Sequence, residues 1–297
     1  MNNFLKETLY IIGTVCFLMV ILDLFIDYHP NEFSTKYNNW KGNRNNITIL
    51  LIGNSHIQAN VRADLIGDSS YNMAIGGSSI QHALSIASSY IPQMENLKTV
   101  IINFDYINLY DSTGNLYNRK NCTKNKRNSN WENYMNYIHY RYLHAGISFT
   151  RFDHAISCNQ LHYSTLINNN LTDLNLYKLD ETFHDTPNFS IGPVSMEQYN
   201  NCVSSIAKIA KIVSDNNAEL IVITSPAHHT FRSQTNTKNI ELMNSTMDSL
   251  SQVYPIRYKN YLLDTTFYHE EMFADIHHLN RAGANTFARR IKKDFNL

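Results

Sequence analysis

The stretch that decides the fold is ILLIGNSHIQANV, Ile49 to Val61. Its leading residues, Ile49-Leu50-Leu51-Ile52, read as a buried strand. They run directly into Gly53-Asn54-Ser55-His56, and a polar segment that can open a helix follows. Gly, Asn and Ser are ordinary turn residues, so a plain turn is one reading. The other is a nucleophile set where a strand hands over to a helix, with backbone N–H groups directed at it. What stands elsewhere in the chain decides between them.

Outward from this stretch, short apolar runs alternate with longer amphipathic ones. Strands are expected at 47–52, 71–74, 99–104, 220–224 and 261–263, and helices at 79–91, 196–216, 240–253 and 281–295. Near-continuous apolar strands separated by helical patterns indicate a parallel sheet covered on both faces. The expectation is an α/β domain of three layers, α/β/α, with a central parallel sheet, over residues 47–297. Between 111 and 195 the rhythm breaks into a Tyr- and Asn-rich insertion, with WENYMNYIHYRYLHAGI (131–147) as a helix. An insertion after a central strand would sit near the strand C-termini, where such sheets bind ligands. It reads either as a packing subdomain or as a lid whose tyrosines bind a polar ring such as a sugar.

The N-terminus carries its own signal. Leu9 to Ile26 is apolar apart from Asp23, and its length of about 18 residues approaches the roughly 20 that cross a hydrocarbon core. A buried core helix and a cleaved signal peptide are the alternatives, and no A-x-A cleavage site follows the run. Lys6 precedes it, while Asp23 and Asp27 stand at its far end. That asymmetry favours residues 1–8 in the cytoplasm and the rest of the chain outside, periplasmic or extracellular. Residues 9–27 are therefore expected to be a single-pass transmembrane anchor and 28–46 a polar linker.

Lys plus Arg equals Asp plus Glu, 25 of each, so no basic field draws the chain to nucleic acid. The four cysteines, Cys16, Cys122, Cys158 and Cys202, form no CxxC pair, which argues against a structural zinc site.

A serine acts as a nucleophile only when a histidine takes its proton and a carboxylate holds that histidine in the right tautomer. FADIHHLNRAGANTFARRI, Phe273 to Ile291, offers both. Asp275 and His278 are three apart, so both side chains can face one way from a turn, and Gly283-Ala284 permits the next helix to pack closely. Alone, D-x-x-H carries little weight in a chain with 13 histidines. His56 either lines the pocket or begins the helix. In LIVITSPAHHTF, Pro226, His228 and His229 follow a central strand, where they touch substrate or simply end the strand. The spacing of His228, His229, His277 and His278 is not of the H-E-x-x-H type, so no metal and no cofactor are expected. His277 reads as the spare member of its pair.

Together, a strand ending in G-x-S and a D-x-x-H-L-N-x-x-G-A before the last helix resemble the SGNH (GDSL-type) hydrolase superfamily, over about residues 47–295. The resemblance implies a flavodoxin-like strand order and Ser55 as nucleophile, with His278 as general base and Asp275 orienting it. YNMAIGGSSIQ resembles the second block, which implies an oxyanion N–H from Gly77, with Gly76 next, beside that of Ser55. The third block departs from the family's G-x-N-D. After TVIINF the chain reads Asn103-Phe104-Asp105-Tyr106-Ile107-Asn108, so Asn103, Asn108 or the Tyr106 hydroxyl would have to supply the remaining donor. The layout is similar to the membrane-anchored DltD-like and polysaccharide O-acetyltransferase-like groups. It implies acyl-ester chemistry on an envelope polysaccharide, with a membrane-bound acyl-donor protein as a partner; the substrate contacts expected of His56, His228 and His229 rest on their own positions beside Ser55 and beyond the central strand. The alternative is a non-catalytic relative that binds glycan or a partner during polysaccharide assembly.

Overall fold

Alternation along short strands gives the sheet its two apolar faces. The computed structural model describes residues 3–28, 32–76, 78–109, 196–267 and 269–297. The 111–195 insertion, its expected helix and Gly77 lie outside the described residues. Five strands, β1 Ile49–Leu51, β2 Ser70–Asn72, β3 Thr99–Asn103, β4 Glu219–Thr224 and β5 Ile256–Asn260, form one parallel sheet in the order β2-β1-β3-β4-β5. Successive side chains of a strand point to opposite faces. Leu50, Val100, Ile102 and Val222 therefore join one apolar cluster, and Leu51, Ile101, Ile221 and Ile223 join another on the far side.

Helices cover both clusters. The described helices are α1 Asn3–Tyr28, α2 Glu32–Asn43, α3 Ser55–Asn60, α4 Ala63–Ile66, α5 Ile80–Tyr90, α6 Met196–Asp215, α7 His229–Gln234, α8 Thr237–Val253 and α9 Arg281–Phe295. Trp40 of α2, Ile86 of α5, Ile206 of α6 and Met243 of α8 pack on the first face. Ile57 of α3, Ile66 of α4, and Phe287 and Ile291 of α9 pack on the second. The result is the expected three-layer α/β/α arrangement.

Two elements differ from the sequence reading. The fifth strand is IRYKN, not residues 261–263. As an edge strand it is half solvated, and only Ile256 of the five is buried, so it lacks the apolar run that marks β3 and β4. The apolar Tyr261 and Leu262 are buried instead in the turn after it. The expected linker is also partly structural. From Lys36 onward it belongs to the α/β unit: Trp40 is 1% exposed, the Tyr71 hydroxyl donates to Lys36 O at 2.8 Å, and Lys36 Nζ donates to Ala74 O at 2.5 Å.

The expected anchor run lies within α1, one continuous helix of 26 residues, and Phe4, Tyr10, Ile11, Phe17 and Leu18 on it are exposed. Among the described residues, whose side chains in α1 run from Asn3 to Leu18 and include Ile21, no helix is long and apolar enough to cross a membrane.

β1 lies between β2 and β3, so the connections leaving β1 and β3 diverge. The crevice beyond the C-terminal ends of those two strands is where open parallel sheets place their sites.

Candidate active site

The nucleophile position begins with a glycine. Gly53 sits at φ 151°, and a Cβ there would lie 2.1 Å from Asn103 Oδ1. Only glycine permits this conformation and this approach of β1's end to β3's end. Asn54 then caps α3, its Oδ1 accepting from His56 N at 2.9 Å. Ser55 is thus the first helical residue, where a backbone N–H has no partner inside the helix.

The histidine comes from the loop before α9. The loop closes through an isolated bridge between Phe273 and Leu279, and Ala274 N donates to His278 O at 2.9 Å. Three residues of HLNRAG hold it in place. Leu279 N donates to Asn60 Oδ1 of α3 at 2.9 Å, and Asn280 caps α9 by accepting from Gly283 N at 3.0 Å. Gly283 lets the helix approach Met272 O, which a Cβ would meet at 2.2 Å.

These constraints bring Ser55, His278 and Asp275 into one hydrogen-bonded chain. Ser55 Oγ is 2.9 Å from His278 Nε2, and His278 Nδ1 is 2.7 Å from Asp275 Oδ2. Asp275 Oδ1 accepts from His277 N at 2.9 Å and His278 N at 2.7 Å. Desolvation is the largest single effect and opposes the Asp275 charge, but the His278 hydrogen bond, the His278 and His277 charges and the His277 N–H together outweigh it and hold the carboxyl below the usual carboxylate range. Burial pushes the His278 imidazole down, against the pull of Asp275. A neutral imidazole between a carboxylate and a serine hydroxyl, with Nδ1–H bound to the carboxylate, leaves Nε2 to accept the serine proton.

Beside this chain runs a second histidine–aspartate pair. His56 Nδ1 is 2.7 Å from Asp105 Oδ2, and His56 Nε2 is 3.0 Å from His277 Nδ1. Asp105 Oδ1 accepts from Ser225 N at 2.8 Å, and Asp105 N donates to Asn108 Oδ1 at 2.7 Å. His277 is pushed down by burial first, then by the neighbouring His278 and His56. Sequence reasoning missed Asp105, because the departure of the third block drew attention to its amides. The signal was a carboxylate directly after the apolar TVIINF, where an unpartnered charge would be costly.

The oxyanion candidates are placed as follows. The Ser55 N–H is at the start of α3. Gly76 lies close, a Cβ on it falling 3.8 Å from Ser55 Cβ. Asn103 is 1% exposed; its Oδ1 accepts from Asn54 N at 3.2 Å, and its Nδ2 donates to Asn54 Oδ1 at 2.9 Å and to Asp105 Oδ2. Both of its amide hydrogens are used, so Asn103 joins the ends of β1 and β3 and leaves no N–H for an oxyanion. The Tyr106 hydroxyl accepts from Asn236 N at 2.8 Å and Asn239 Nδ2 at 3.0 Å, fixing the start of α8. Asn108 turns its oxygen to Asp105.

Of the remaining candidates, His56 is 4% and His228 3% exposed, so both are inside the fold. His228 N donates to Ile276 O at 3.0 Å, tying the loop after β4 to the triad loop. His229 is largely exposed beside it, its ring centroid 4.1 Å from that of His228.

No family model and no curated protein matches the chain. Among solved structures it is similar to a Streptococcus pneumonia protein named for platelet activating factor, at 11% identity and TM-score 0.47, over 94% of this chain and 99% of that one. It is also similar to a GDSL-like lipase from Bacteroides thetaiotaomicron, at 10% identity and TM-score 0.47, over 88% of this chain and 97% of that one. A third is a carbohydrate esterase family 2 enzyme from Corynascus thermopiles, at 8% identity and TM-score 0.41, over 84% of this chain and 67% of that one. At such identities and scores the likeness carries no weight for function.

Proposed function

We propose that the chain is a serine acyl-esterase or O-acetyltransferase of the SGNH type. It would be anchored in the cell membrane by residues 9–27 and act outside on O-acyl groups of an envelope polysaccharide. The observation that carries the chemistry is the hydrogen-bonded chain Ser55–His278–Asp275 at the C-terminal ends of β1 and β3. Ser55 Oγ attacks the acyl carbonyl as its proton passes to His278 Nε2, and Asp275 stabilises the imidazolium. The tetrahedral oxyanion accepts from the Ser55 N–H and a glycine N–H, from Gly77 or Gly76, each such donor being worth about 2.7–4 kcal/mol. His278 then protonates the leaving sugar oxygen. Water or another sugar hydroxyl, deprotonated by the same imidazole, releases the acyl group from Ser55. The anchor rests on the length and apolarity of the sequence run, and the polysaccharide on the resemblance in layout.

A non-catalytic, glycan- or partner-binding reading draws on the engaged amide of Asn103, which leaves one fewer oxyanion donor. Covalent labelling separates the two. The full chain in detergent is treated with a fluorophosphonate probe, and the adduct is located by mass spectrometry. The expected result is an adduct on Ser55 that disappears in Ser55→Ala and His278→Ala. A folded wild type that takes no label favours the binding reading.

A further inference from the structure

Three imidazoles stand together at the triad, and the proposed reaction uses one. His56, His277 and His278 each present a ring nitrogen, and the three nitrogens lie within 4.8 Å of one another. We propose that they form a binding site for one zinc-like divalent ion, and that its occupancy switches off the esterase.

The tautomers prepare the ligands. Asp105 holds His56 Nδ1 and Asp275 holds His278 Nδ1, each at 2.7 Å, so in both rings the Nε2 lone pair is turned inward. A metal-bound histidine commonly has its other ring nitrogen donating to a carboxylate in this way, which fixes the ring and raises its basicity. His277 Nδ1 is 3.0 Å from His56 Nε2 and donates to that lone pair. Moving one proton from Nδ1 to Nε2 of the neutral His277 ring provides the third lone pair without releasing a proton. Zinc–nitrogen bonds of about 2.0–2.1 Å in a tetrahedron need nitrogens roughly 3.3–3.4 Å apart, so the His56–His277 contact has to open by a few tenths of an ångström.

Charge points the same way. The Asp105 side chain is 4% and the Asp275 side chain 19% exposed, and each is paired with these histidines. With neutral imidazoles the two carboxylates bring two negative charges to the cluster, which a dication balances. Imidazole donors suit zinc, copper, nickel and iron rather than magnesium or calcium. A second cluster, His228, His229 and Glu270, also brings three donor atoms within 4.8 Å. There Glu270 and His229 are mostly exposed, and His228 Nδ1 accepts from Thr230 N at 3.3 Å. That bond leaves the proton on Nε2, the atom 3.8 Å from Glu270. It is the less prepared of the two.

Ion binding depends on the imidazoles and the carboxylates that hold them, whatever reaction the site performs; inhibition rests on the esterase reading, since the ion would occupy the His278 lone pair that must take the Ser55 proton. The test titrates metal-free full-length protein with cobalt(II), read by the visible absorption of tetrahedral cobalt, and with zinc by calorimetry. One ion per chain is expected. Binding should be retained in Ser55→Ala and His229→Ala, lost in His277→Ala, and about 10–100-fold weaker in Asp105→Asn. Circular dichroism of each variant checks that it is folded. No bound ion in the wild type, binding that survives His277→Ala, or binding that vanishes in His229→Ala overturns the site. Because Ser55→Ala is read by metal and not by turnover, an inactive enzyme that still binds one ion would sink the esterase reading and keep the site. An active enzyme unaffected by saturating zinc would sink the switch.

Discussion

Replacing Asp275 by asparagine changes one atom at the centre of the site and tests the assignment of roles directly. Asp275 makes three bonds, with Oδ1 accepting two backbone N–H groups and Oδ2 facing His278 Nδ1 at 2.7 Å. An asparagine can keep the first two through its carbonyl, which sets the turn and leaves the fold intact. Its amide nitrogen then faces His278 Nδ1 as a donor. The ring must answer with a lone pair at Nδ1, which moves the proton to Nε2, so His278 donates to Ser55 Oγ instead of accepting from it. No base remains. The corresponding change in a serine protease lowers kcat about 10⁴-fold, roughly 5 kcal/mol of transition-state stabilisation at 1.36 kcal/mol per decade. The same loss is expected here for Asp275→Asn in the hydrolysis of p-nitrophenyl acetate, with KM little changed. The melting temperature should stay within about 4 °C of wild type, a shift equivalent to roughly 1 kcal/mol at this size. A folded variant that keeps more than about a tenth of the wild-type kcat, against the expected 10⁴-fold loss, would show that Asp275 does not set the His278 tautomer.

Other outcomes follow from the same geometry. Burial lowers the His278 pKa from its usual 6.5, so the acid limb of kcat/KM against pH should fall below that value; a limb at or above it contradicts a buried, neutral base. By linkage, an unfolded chain takes up the His278 proton before the folded one does. Stability from this group is therefore present above about pH 6.5 and declines as pH falls toward the folded pKa, a trend that thermal melts across that range should register. Gly53→Ala places a methyl 2.1 Å from Asn103 Oδ1 at φ 151°. It should destabilise the domain by at least about 1–3 kcal/mol, and an unchanged urea midpoint would refute the close approach of β1 to β3. Trp40→Ala should cost about 3–5 kcal/mol, as for a buried aromatic; a loss near zero would return α2 to the status of a linker.

What the sequence determined on its own was the layer plan and the trio Ser55, His278 and Asp275 that the fold brings into one hydrogen-bonded chain. β3 and β4 are buried on both faces, so their apolar runs are visible in one dimension. G-x-S and D-x-x-H-L-N mark their elements because residues there answer local demands, such as the close approach at Gly53 and the cap by Asn280. β5 was not legible, since an edge strand facing solvent loses the apolar signature. Trp40 was not legible either, because it stands in a polar, Asn-rich helix with no apolar pattern around it. Only the tertiary structure decided the fate of the third block. Whether Asn103 faces an oxyanion or bridges Asn54 and Asp105 depends on how β1 and β3 end beside each other, a relation no local pattern encodes. Likewise, His56 and His277 are 221 positions apart in the chain and 3.0 Å apart in space. Contacts of that range are set by the order of strands in the sheet, which places the ends of β1 and β3 and the loop before α9 around one crevice.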